Sequence, residues 1–185
     1  MNLPEWLSSP LAADAAGGAG ALPPWIRALS SNATVVGPAL VVTLGRDDNT
    51  PMRDVPAAVT EAGTVLVVAG AAESRTAVLG DLVAGELRRA GIVAVVTDGL
   101  IRDSRAVAAL GLPVWARGVT PVASRKDGVG GVGGSVEIGG VAVNDGDVVI
   151  ADADGVVVWP AAEVPAYVEK ADAKRLADEA RAAGR

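Results

Sequence analysis

An arginine and an aspartate stand side by side just after a predicted buried strand. The apolar run of residues 92–96 is followed by Thr97-Asp98-Gly99-Leu100-Ile101-Arg102-Asp103. A guanidinium can hold a planar carboxylate through two parallel hydrogen bonds. A neighbouring carboxylate can bind a hard divalent cation, directly or through ordered water. Arg102 and Asp103 therefore suit a keto acid bound beside a metal ion.

A plainer interpretation of this pair stays open. Junctions between strands and helices often carry a capping aspartate, and a helix is predicted to begin near Ser104. Asp103 could then be the N-cap of that helix, while Arg102 points into solvent. The sequence does not decide between a capping residue and a site.

A second candidate is the segment Leu79-Gly80-Asp81-Leu82-Val83, which lies near the start of a predicted helix. The amide groups of a first helical turn have no intrahelical partners and form a natural anion site. Gly80 would let a ligand approach closely. The alternative is that Gly80 is a turn or packing glycine and Asp81 a favourable first-turn acid.

The chain contains neither histidine nor cysteine. These absences exclude Ser-His-Asp triads, histidine bases, disulfides and thiolate sites, and they leave carboxylates, water and backbone groups to do chemistry. A metal site built from oxygen ligands favours Mg²⁺ or Mn²⁺ over zinc or copper. The three lysines, Lys126, Lys170 and Lys174, lie in polar segments. This placement disfavours a Schiff-base mechanism.

Charge and hydropathy argue against two classes of partner, nucleic acids and membranes. The net charge of -6 provides no basic surface for a phosphate backbone, so direct binding of nucleic acid is not expected. No stretch approaches the roughly 20 apolar residues of a membrane span, and the N-terminus lacks the basic start and apolar run of a signal peptide. We therefore expect a cytoplasmic protein with no membrane partner.

Alternating strand and helix patterns predict an α/β fold, with one domain over residues 1–185. The predicted strands cover residues 33–44, 63–68, 92–97 and 112–116, and the first of them bends at Gly37-Pro38. Helices are predicted over residues 74–90 and 104–110, each followed by a capping glycine. This alternation predicts a core of parallel strands.

The two ends of the chain and its second half follow other patterns. Residues 1–33 are rich in small residues and are predicted to form an N-terminal arm with helical pieces at 11–16 and 24–29. Residues 136–159 predict short strands joined by hairpin-type turns. The terminal segment 163–185 predicts a helix with few apolar residues, which we expect to pack on a neighbouring subunit.

Two further motifs are interpreted as structural. The glycine cluster at residues 128–134 lacks the Gly-Lys-Ser/Thr ending of a phosphate loop and does not open a helix. The acids Asp145, Asp147, Asp152 and Asp154 do not have the spacing of a helix-loop-helix calcium site, and their positions suit turns instead.

Blocks spread along nearly the whole chain resemble the RraA-like family. They are Gly80-Asp81-Leu82, Arg89-Ala90-Gly91-Ile92, Thr97 to Asp103 as quoted above, Leu112-Pro113-Val114-Trp115-Ala116-Arg117-Gly118-Val119-Thr120-Pro121, Asp14-Ala15, Val36-Gly37-Pro38-Ala39 and Gly146-Asp147-Val148-Val149-Ile150-Ala151-Asp152. The order and spacing of these blocks are specific. The family contains the 4-hydroxy-4-methyl-2-oxoglutarate/4-carboxy-4-hydroxy-2-oxoadipate aldolases and the regulator of ribonuclease activity A.

The resemblance implies a β/β/α swivelling-type fold, like that of phosphohistidine domains, assembled as a homotrimer or hexamer with active sites between subunits. It also implies site roles. The arginine matching Arg102 contacts the keto-acid oxygens, and acids matching Asp103 and Asp81 bind Mg²⁺ or Mn²⁺, Asp81 through water. The pyruvyl carboxylate is held by backbone amides matching Gly80, Asp81, Leu82 and Val83.

One position of the family pattern has no unique match here. The aldolases receive a further metal-directed acid from the C-terminal region of an adjacent subunit. The candidates in this sequence are Glu169, Asp172, Asp178 and Glu179. The nearest gapless match places Lys174 or Arg175 at that position.

The implied activity is metal-dependent cleavage of a 4-hydroxy-2-oxo acid to pyruvate. Oxaloacetate decarboxylation is a natural side activity because it leaves the same enolate. Two other functions stay open, namely a non-enzymatic trimer that binds a ribonuclease and an RraA-like enzyme that acts on another oxo acid. Retention of Asp103 favours an enzyme, and the unmatched acid position favours a binding protein.

Overall fold

Short strands and helices alternate along the part of the chain that this computed structural model describes, residues 3–29 and 33–184. Its helices are α1 (Ser9–Ala15), α2 (Val55–Ala58), α3 (Asp81–Arg89), α4 (Ser104–Ala109) and α5 (Val164–Ala183). Its strands are β1 (Arg27–Ala28), β2 (Val35–Leu44), β3 (Thr64–Ala69), β4 (Ala77–Leu79), β5 (Ile92–Thr97), β6 (Leu100–Ile101), β7 (Val114–Ala116), β8 (Gly118–Val119), β9 (Gly130–Val132), β10 (Ser135–Ile138), β11 (Val141–Asn144), β12 (Val148–Ala151) and β13 (Val156–Trp159).

The large sheet has a parallel centre and antiparallel margins. Its strand order is β1-β7-β5-β3-β2-β12-β13, and β9 pairs with the carboxyl end of β2. Strands β2, β3, β5 and β7 run parallel to one another. All residues of β3 are buried, as expected of a parallel strand covered on both faces. The predicted parallel core is confirmed.

The long strand β2 changes its partner in the middle. Residues 35–38 pair with β12, and residues 39–43 pair with β3. A Cβ atom at Gly37 would collide with the carbonyl oxygen of Gly63, so this position requires glycine. The change of partner lies where the sequence predicts a bend, and it joins the parallel core to the β12–β13 hairpin.

A smaller parallel sheet of β4, β6 and β8 stands beside the large one. Leu79 at the end of β4 pairs with Ile101 at the end of β6, and Ile101 pairs with Val119 in β8. Because the strands are parallel, their carboxyl ends meet at one edge. The residues that follow these strands are therefore neighbours, and they include Gly80 and Arg102.

The first and last helices pack against each other over the β12–β13 hairpin. Lys174 on α5 forms an ion pair with Asp14 on α1 at 3.4 Å. The Arg175 guanidinium lies 5.1 Å from the centre of the Trp6 ring, a cation–π distance. The N-terminal arm is thus docked on its own chain, and the packing of α5 on a neighbouring subunit stays a prediction. None of the described helices has the length and apolarity needed to cross a bilayer.

The structure corrects several predicted elements. The helix predicted over residues 74–90 begins only at Asp81, because residues 77–79 pair as strand β4. The helical piece predicted over residues 24–29 is wrong, since these residues form a turn and strand β1, which pairs with β7. Strand β9 lies inside the glycine cluster, where no strand is predicted. These strands have at most three residues, too few to produce a hydrophobic period.

Candidate functional site

The candidate site is built where β4 and β6 end. The backbone N–H of Arg102 donates to the carbonyl oxygen of Leu79 at 3.0 Å, which extends the strand pairing by one residue. Gly80 follows Leu79 and starts α3. The two segments that the sequence singles out separately are therefore brought together.

Gly80 packs directly under the Arg102–Asp103 pair. Gly80 is buried, and a Cβ atom built on it would lie 2.5 Å from Asp103 Oδ2 and 2.9 Å from Arg102 Nε. Any other residue would push these two side chains away. Because its φ of -132° is open to all residues, the reason for glycine here is space and not backbone conformation.

The side chain of Asp103 does not cap α4. Asp103 occupies the N-cap position, but its side chain forms no capping hydrogen bond, and its φ of 52° lies in the left-handed region. Aspartate and asparagine enter that region more readily than other non-glycine residues. Arg102 Nε lies 3.3 Å from Asp103 Oδ2, and the two side chains are 39% and 41% exposed. The predicted capping hydrogen bond is therefore wrong, and the carboxylate instead pairs with Arg102 at an accessible edge.

The first turn of α3 is partly occupied by its own acid. Asp81 Oδ1 accepts a hydrogen bond from the Leu82 amide at 2.8 Å. Of the amides proposed for a carboxylate, the one on Leu82 would have to exchange this partner for a ligand. The turn still points its helix dipole toward any anion beside Gly80.

A cavity of about 210 Å³ opens beside this edge. Its lining includes Arg102 and the predicted anion-binding residues, together with three polar side chains from elsewhere. The predicted lining residues are Gly80, Asp81, Leu82, Val83 and Arg102, and the additional polar ones are Asn49, Ser124 and Lys126. Asp103 is not among these lining residues, but its carboxylate contacts Arg102, which is one of them. The sequence gives Lys126 no role, although it is the single lysine outside the terminal helix.

Two adjacent acids hold the loop that carries Lys126. Asp48 Oδ2 accepts from the Val129 amide at 2.8 Å, and Asp48 Oδ1 accepts from the Thr50 amide and hydroxyl. The backbone carbonyl oxygen of Asp47 accepts from the Arg125 amide, next to Lys126, at 2.8 Å. The bond from Val129, followed by those from Thr50, lowers the pKa of Asp48 to about 2. These bonds fix one wall of the cavity.

We expect the charge of Asp48 to stabilise the fold at neutral pH and to lose this effect in acid. Its folded-state pKa of about 2 lies below the ordinary value of 3.8, so the unfolded chain binds a proton first. The contribution is complete above 3.8 and fades as pH falls through about 2. Urea unfolding of the wild type and Asp48→Asn should give free energies that differ more at about pH 7 than at about pH 3. A difference independent of pH would contradict this assignment.

A buried carboxylate, that of Asp98, stabilises the turn that precedes Arg102. Asp98, 4% exposed, accepts from the amides of Gly70 and Ala71 at 3.0 Å each, and so joins the carboxyl ends of β3 and β5. Burial raises the pKa of Asp98, against the lowering effect of these amides and of Arg117. The residue belongs to the Thr97–Asp103 block, and its role is to hold the turn that leads to Arg102.

A larger cavity, of about 570 Å³, lies elsewhere and is lined by residues 3–5 and 61–63 and by parts of β2 and β12. Its charged lining residues are Glu5 and Glu61, which would repel an acidic ligand. The smaller cavity at Gly80 combines a guanidinium, an ammonium group and a helix N-terminus with a single carboxylate, that of Asp81. It is the better site for an organic acid.

Two carboxylates flank Gly80 and could hold a metal ion. Asp81 follows Gly80 in the chain, and Asp103 Oδ2 is the atom nearest to a Cβ built there. Within residues 3–29 and 33–184, no group of three or more acidic, histidine or cysteine side chains is arranged around a metal position. Mg²⁺ commonly uses one or two carboxylates and keeps several waters, so a pair of oxygen ligands fits this class of ion.

The four acidic candidates on α5 differ in their contacts. Asp172 and Glu179 pair with Arg175 at 2.6 and 2.8 Å, and Asp178 pairs with Lys174. Glu169 is exposed and, within the described residues, forms no ion pair. Of the four candidates, Glu169 is the one not already engaged in an ion pair.

Comparisons with known proteins identify the family of the chain. The family model described as "RraA-like: Aldolase/RraA" matches residues 11–158. A protein of Halalkalibacterium halodurans named "Putative 4-hydroxy-4-methyl-2-oxoglutarate aldolase" is 39% identical over 158 residues, which cover 84% of this chain and 74% of that protein.

Two solved structures extend the likeness to the fold. RraAS2 from Streptomyces coelicolor, described as an unusual member of the RNase ES inhibitor RraA protein family, superposes with a TM-score of 0.82 at 31% identity, over 95% of this chain and 92% of that one. The RNA-processing inhibitor RraA from Thermus thermophilis gives 0.73 at 29% identity, over 85% and 94%. The chain belongs to the RraA-like family and has its mixed α/β fold.

Proposed function

We propose that this protein is a divalent-metal-dependent lyase that cleaves a 4-hydroxy-2-oxo acid and releases pyruvate. The observation that carries the proposal is the packing of Gly80 against Arg102 and Asp103, beside a small cavity that Gly80 and Arg102 line. The name of the Halalkalibacterium halodurans relative supports the aldolase class.

Arg102 and α3 would bind the oxo-acid end of the substrate. The Arg102 guanidinium has several N–H donors in one plane, so it can contact the carboxylate and the 2-oxo oxygen together. The first-turn amides of α3, next to Gly80, would hold the other carboxylate oxygen. This arrangement places positive charge where the enolate oxygen develops.

Asp103 and Asp81 would hold Mg²⁺ or Mn²⁺, Asp81 through water. When bound, the ion supplies Lewis-acid stabilisation of the developing enolate. Asp103 has a further role toward Arg102, since their ion pair at 3.3 Å orients the guanidinium toward the cavity edge. The substrate would thus bind to an arginine whose orientation is already fixed by Asp103.

The bond changes follow from retro-aldol chemistry. The 4-hydroxyl proton leaves, C4 becomes a carbonyl carbon, and the C3–C4 bond electrons pass to the enolate of pyruvate. Protonation at C3 then completes pyruvate. Asp81 is the one carboxylate among the residues described as lining the cavity, so it is the protein group available to accept the hydroxyl proton, through water. Oxaloacetate decarboxylation would pass through the same enolate.

A coupled assay tests the proposal. Purified protein is supplied with 4-hydroxy-4-methyl-2-oxoglutarate or oxaloacetate, and pyruvate is followed with lactate dehydrogenase and NADH. We expect pyruvate release that requires Mg²⁺ or Mn²⁺ and stops with a chelator. Turnover that is unaffected by chelation, or no turnover of either acid with any divalent ion, would contradict the proposal.

Gly80→Ala should disable the site without harming the fold. The added Cβ would displace Asp103 and Arg102, and a shift of about 1 Å can cost on the order of 100-fold in rate. We therefore expect kcat/KM for pyruvate release to fall about 10- to 100-fold while Tm changes little.

The matched control for this variant is Gly85→Ala on the same helix. A Cβ at Gly85 would meet no atom closer than 4.0 Å, so activity should be retained and helix propensity should rise. Equal activity of Gly80→Ala and Gly85→Ala would show that crowding at Gly80 does not disturb the site.

The proposed active assembly is a homotrimer or a hexamer. A metal ion held by the two carboxylates beside Gly80 would take a further acid from another subunit, and we assign this role to Glu169 because the other three α5 candidates are engaged in ion pairs. Light scattering of the purified protein tests the assembly. A monomer with full activity would exclude the role of Glu169.

The second candidate function is protein binding without catalysis. The solved relatives include an RNA-processing inhibitor and a member of the RNase ES inhibitor RraA protein family, which supports this second candidate. Inhibition of a ribonuclease by the protein, together with no pyruvate release, would favour this function. A third candidate, an RraA-like enzyme for another oxo acid, predicts turnover of neither test substrate but retained binding of pyruvate.

A further inference from the structure

The three strands of the small sheet begin side by side, at the end opposite to the candidate site. Strand β4 follows the loop of residues 70–76, β6 follows the turn at 98–99, and β8 follows Arg117. The carboxyl ends of β4 and β6 lead to Gly80 and Arg102. Because these strands have two or three residues, only about 7–10 Å separates their two ends. A shift at the beginning of the sheet would therefore move the site residues.

Arg117 connects the beginnings of all three strands. Its backbone N–H donates to the carbonyl oxygen of Gly99 at 3.0 Å, and its Nη2 donates to the carbonyl oxygen of Ser74 at 2.7 Å. Ser74 is buried, and a hydrogen bond from a guanidinium is stronger than one between neutral groups. We call this set of residues the amino-end cluster, and its members are Ser74, Asp98, Gly99 and Arg117.

The Asp98 carboxylate holds the same cluster from the side of the turn. One oxygen accepts from the Gly70 amide and the other from the Ala71 amide. An ionised carboxylate has acceptors only, so it suits both bonds, whereas an asparagine would turn its NH₂ group toward one of these N–H donors. Burial raises the pKa of Asp98, and Arg117 is the charged group that opposes this effect. Arg117 thus also favours the charged form of Asp98.

The guanidinium of Arg117 is not placed for stability alone. Its Nε atom is buried and has no hydrogen-bond partner among the described residues. A buried donor without a partner destabilises a fold, and such a group in a native protein calls for an explanation. The explanation offered by the contacts is that Nη2 and the positive charge hold the amino-end cluster, while Nε destabilises it.

We propose that Arg117 is a positioning residue for the reaction, which fixes the beginnings of β4 and β6 through Ser74 and Asp98 and so sets the relative position of Gly80 and Arg102. This inference rests on the proposed function. Arg117 lies outside the lining of the cavity, so it acts through Arg102 and not on the substrate.

The main test is Arg117→Met, assayed by pyruvate release over a range of pH. We expect kcat/KM to fall about tenfold or more, because a small displacement of a site residue has a large effect on rate. Tm should change little, since methionine keeps an apolar stem and removes the unpaired Nε. The acid side of the pH profile should move to higher pH by about half a unit or more, because burial then raises the pKa of Asp98 with less opposition.

Three further variants separate the charge from the hydrogen bond. Arg117→Lys keeps the charge on a shorter side chain, so the acid side of the profile should return toward that of the wild type while the rate recovers only in part. Asp98→Asn should lower the rate, and adding Arg117→Met to it should change the rate by less than about twofold, since both act on one cluster. Arg89→Met is the control, because Arg89 also donates to a carbonyl oxygen, that of Gly85, but on the exposed side of α3.

Amide hydrogen exchange of the free protein provides a measurement that does not depend on turnover. Peptides that cover residues 70–76 and 98–103 should exchange faster in Arg117→Met than in the wild type, and Arg89→Met should leave them unchanged. Unchanged exchange in Arg117→Met, or a loss of rate with an unmoved pH profile and a lowered Tm, would overturn the positioning role. A wild type that releases no pyruvate while Arg117→Met exchanges faster would contradict the proposed function, and the role of Arg117 in the reaction would fall with it.

Discussion

Arg102→Met should reduce kcat/KM for pyruvate release by on the order of 100-fold or more. The guanidinium is the permanent cation beside Gly80, and losing a donor that faces a developing oxyanion typically costs about 100- to 1,000-fold in rate. The backbone bond from Arg102 to Leu79 does not depend on the side chain. The small sheet should therefore remain intact, and Tm should change little.

Arg102→Lys should be nearly as inactive as Arg102→Met. An ammonium group keeps the charge but cannot present two parallel donors to the carboxylate and the oxo oxygen. Arg105→Met is the matched control, because Arg105 is exposed and lies outside the cavity lining. Steady-state kinetics of the three variants with one substrate check the prediction. Full activity of Arg102→Lys would show that charge alone suffices and that planar recognition is not used.

The sequence predicts the main elements because each has a hydrophobic period or a glycine boundary. Strand β5 appears at the predicted bounds, Ile92–Thr97, since its apolar run is long and Gly91 precedes it. The bend in β2 is predicted from Gly37-Pro38, and the structure explains it by the close approach of Gly63. The predictions are weakest where an element is two or three residues long, as in β4 and β6.

The residues of the candidate site also fall into two groups, those that local sequence identifies and those that it does not. Gly80 and Arg102 are identified from local sequence because each follows a buried strand or precedes a helix. Asn49 and Lys126 are not, since they are 77 residues apart and meet only through tertiary folding. Lys126 lies in a glycine-rich loop, and nothing local shows that Asp48 ties this loop to the cavity wall. The hydrogen bonds that fix Lys126 and its loop are therefore visible only in the three-dimensional structure.

The left-handed backbone conformation of Asp103 is also not predicted by the sequence. The local pattern of an aspartate before a helix predicts a cap, and the residue does occupy the capping position. The structure differs because the carboxylate turns toward Arg102 and leaves the helix amides. A positive φ is more accessible to aspartate than to most non-glycine residues, and Asp47 adopts it too.

Asp103→Asn should abolish most activity and weaken metal binding while preserving the fold. Asparagine tolerates the left-handed backbone, whereas alanine would add strain of about 1–2 kcal/mol. The amide keeps the shape of the side chain but carries no charge for a divalent cation. We expect pyruvate release to fall on the order of 100-fold or more. Mn²⁺ affinity, measured by calorimetry, should fall about tenfold or more.

Asp54→Asn is the matched control for this variant. Asp54 occupies the N-cap position of α2, also without a side-chain capping bond, and it lies outside the cavity lining. Its replacement should leave Mn²⁺ affinity and turnover unchanged. If Asp103→Asn instead matches Asp54→Asn in both measurements, the charge of Asp103 serves neither a metal nor the orientation of Arg102. The left-handed conformation of residue 103 would then be an ordinary turn conformation of aspartate with no link to chemistry at this edge.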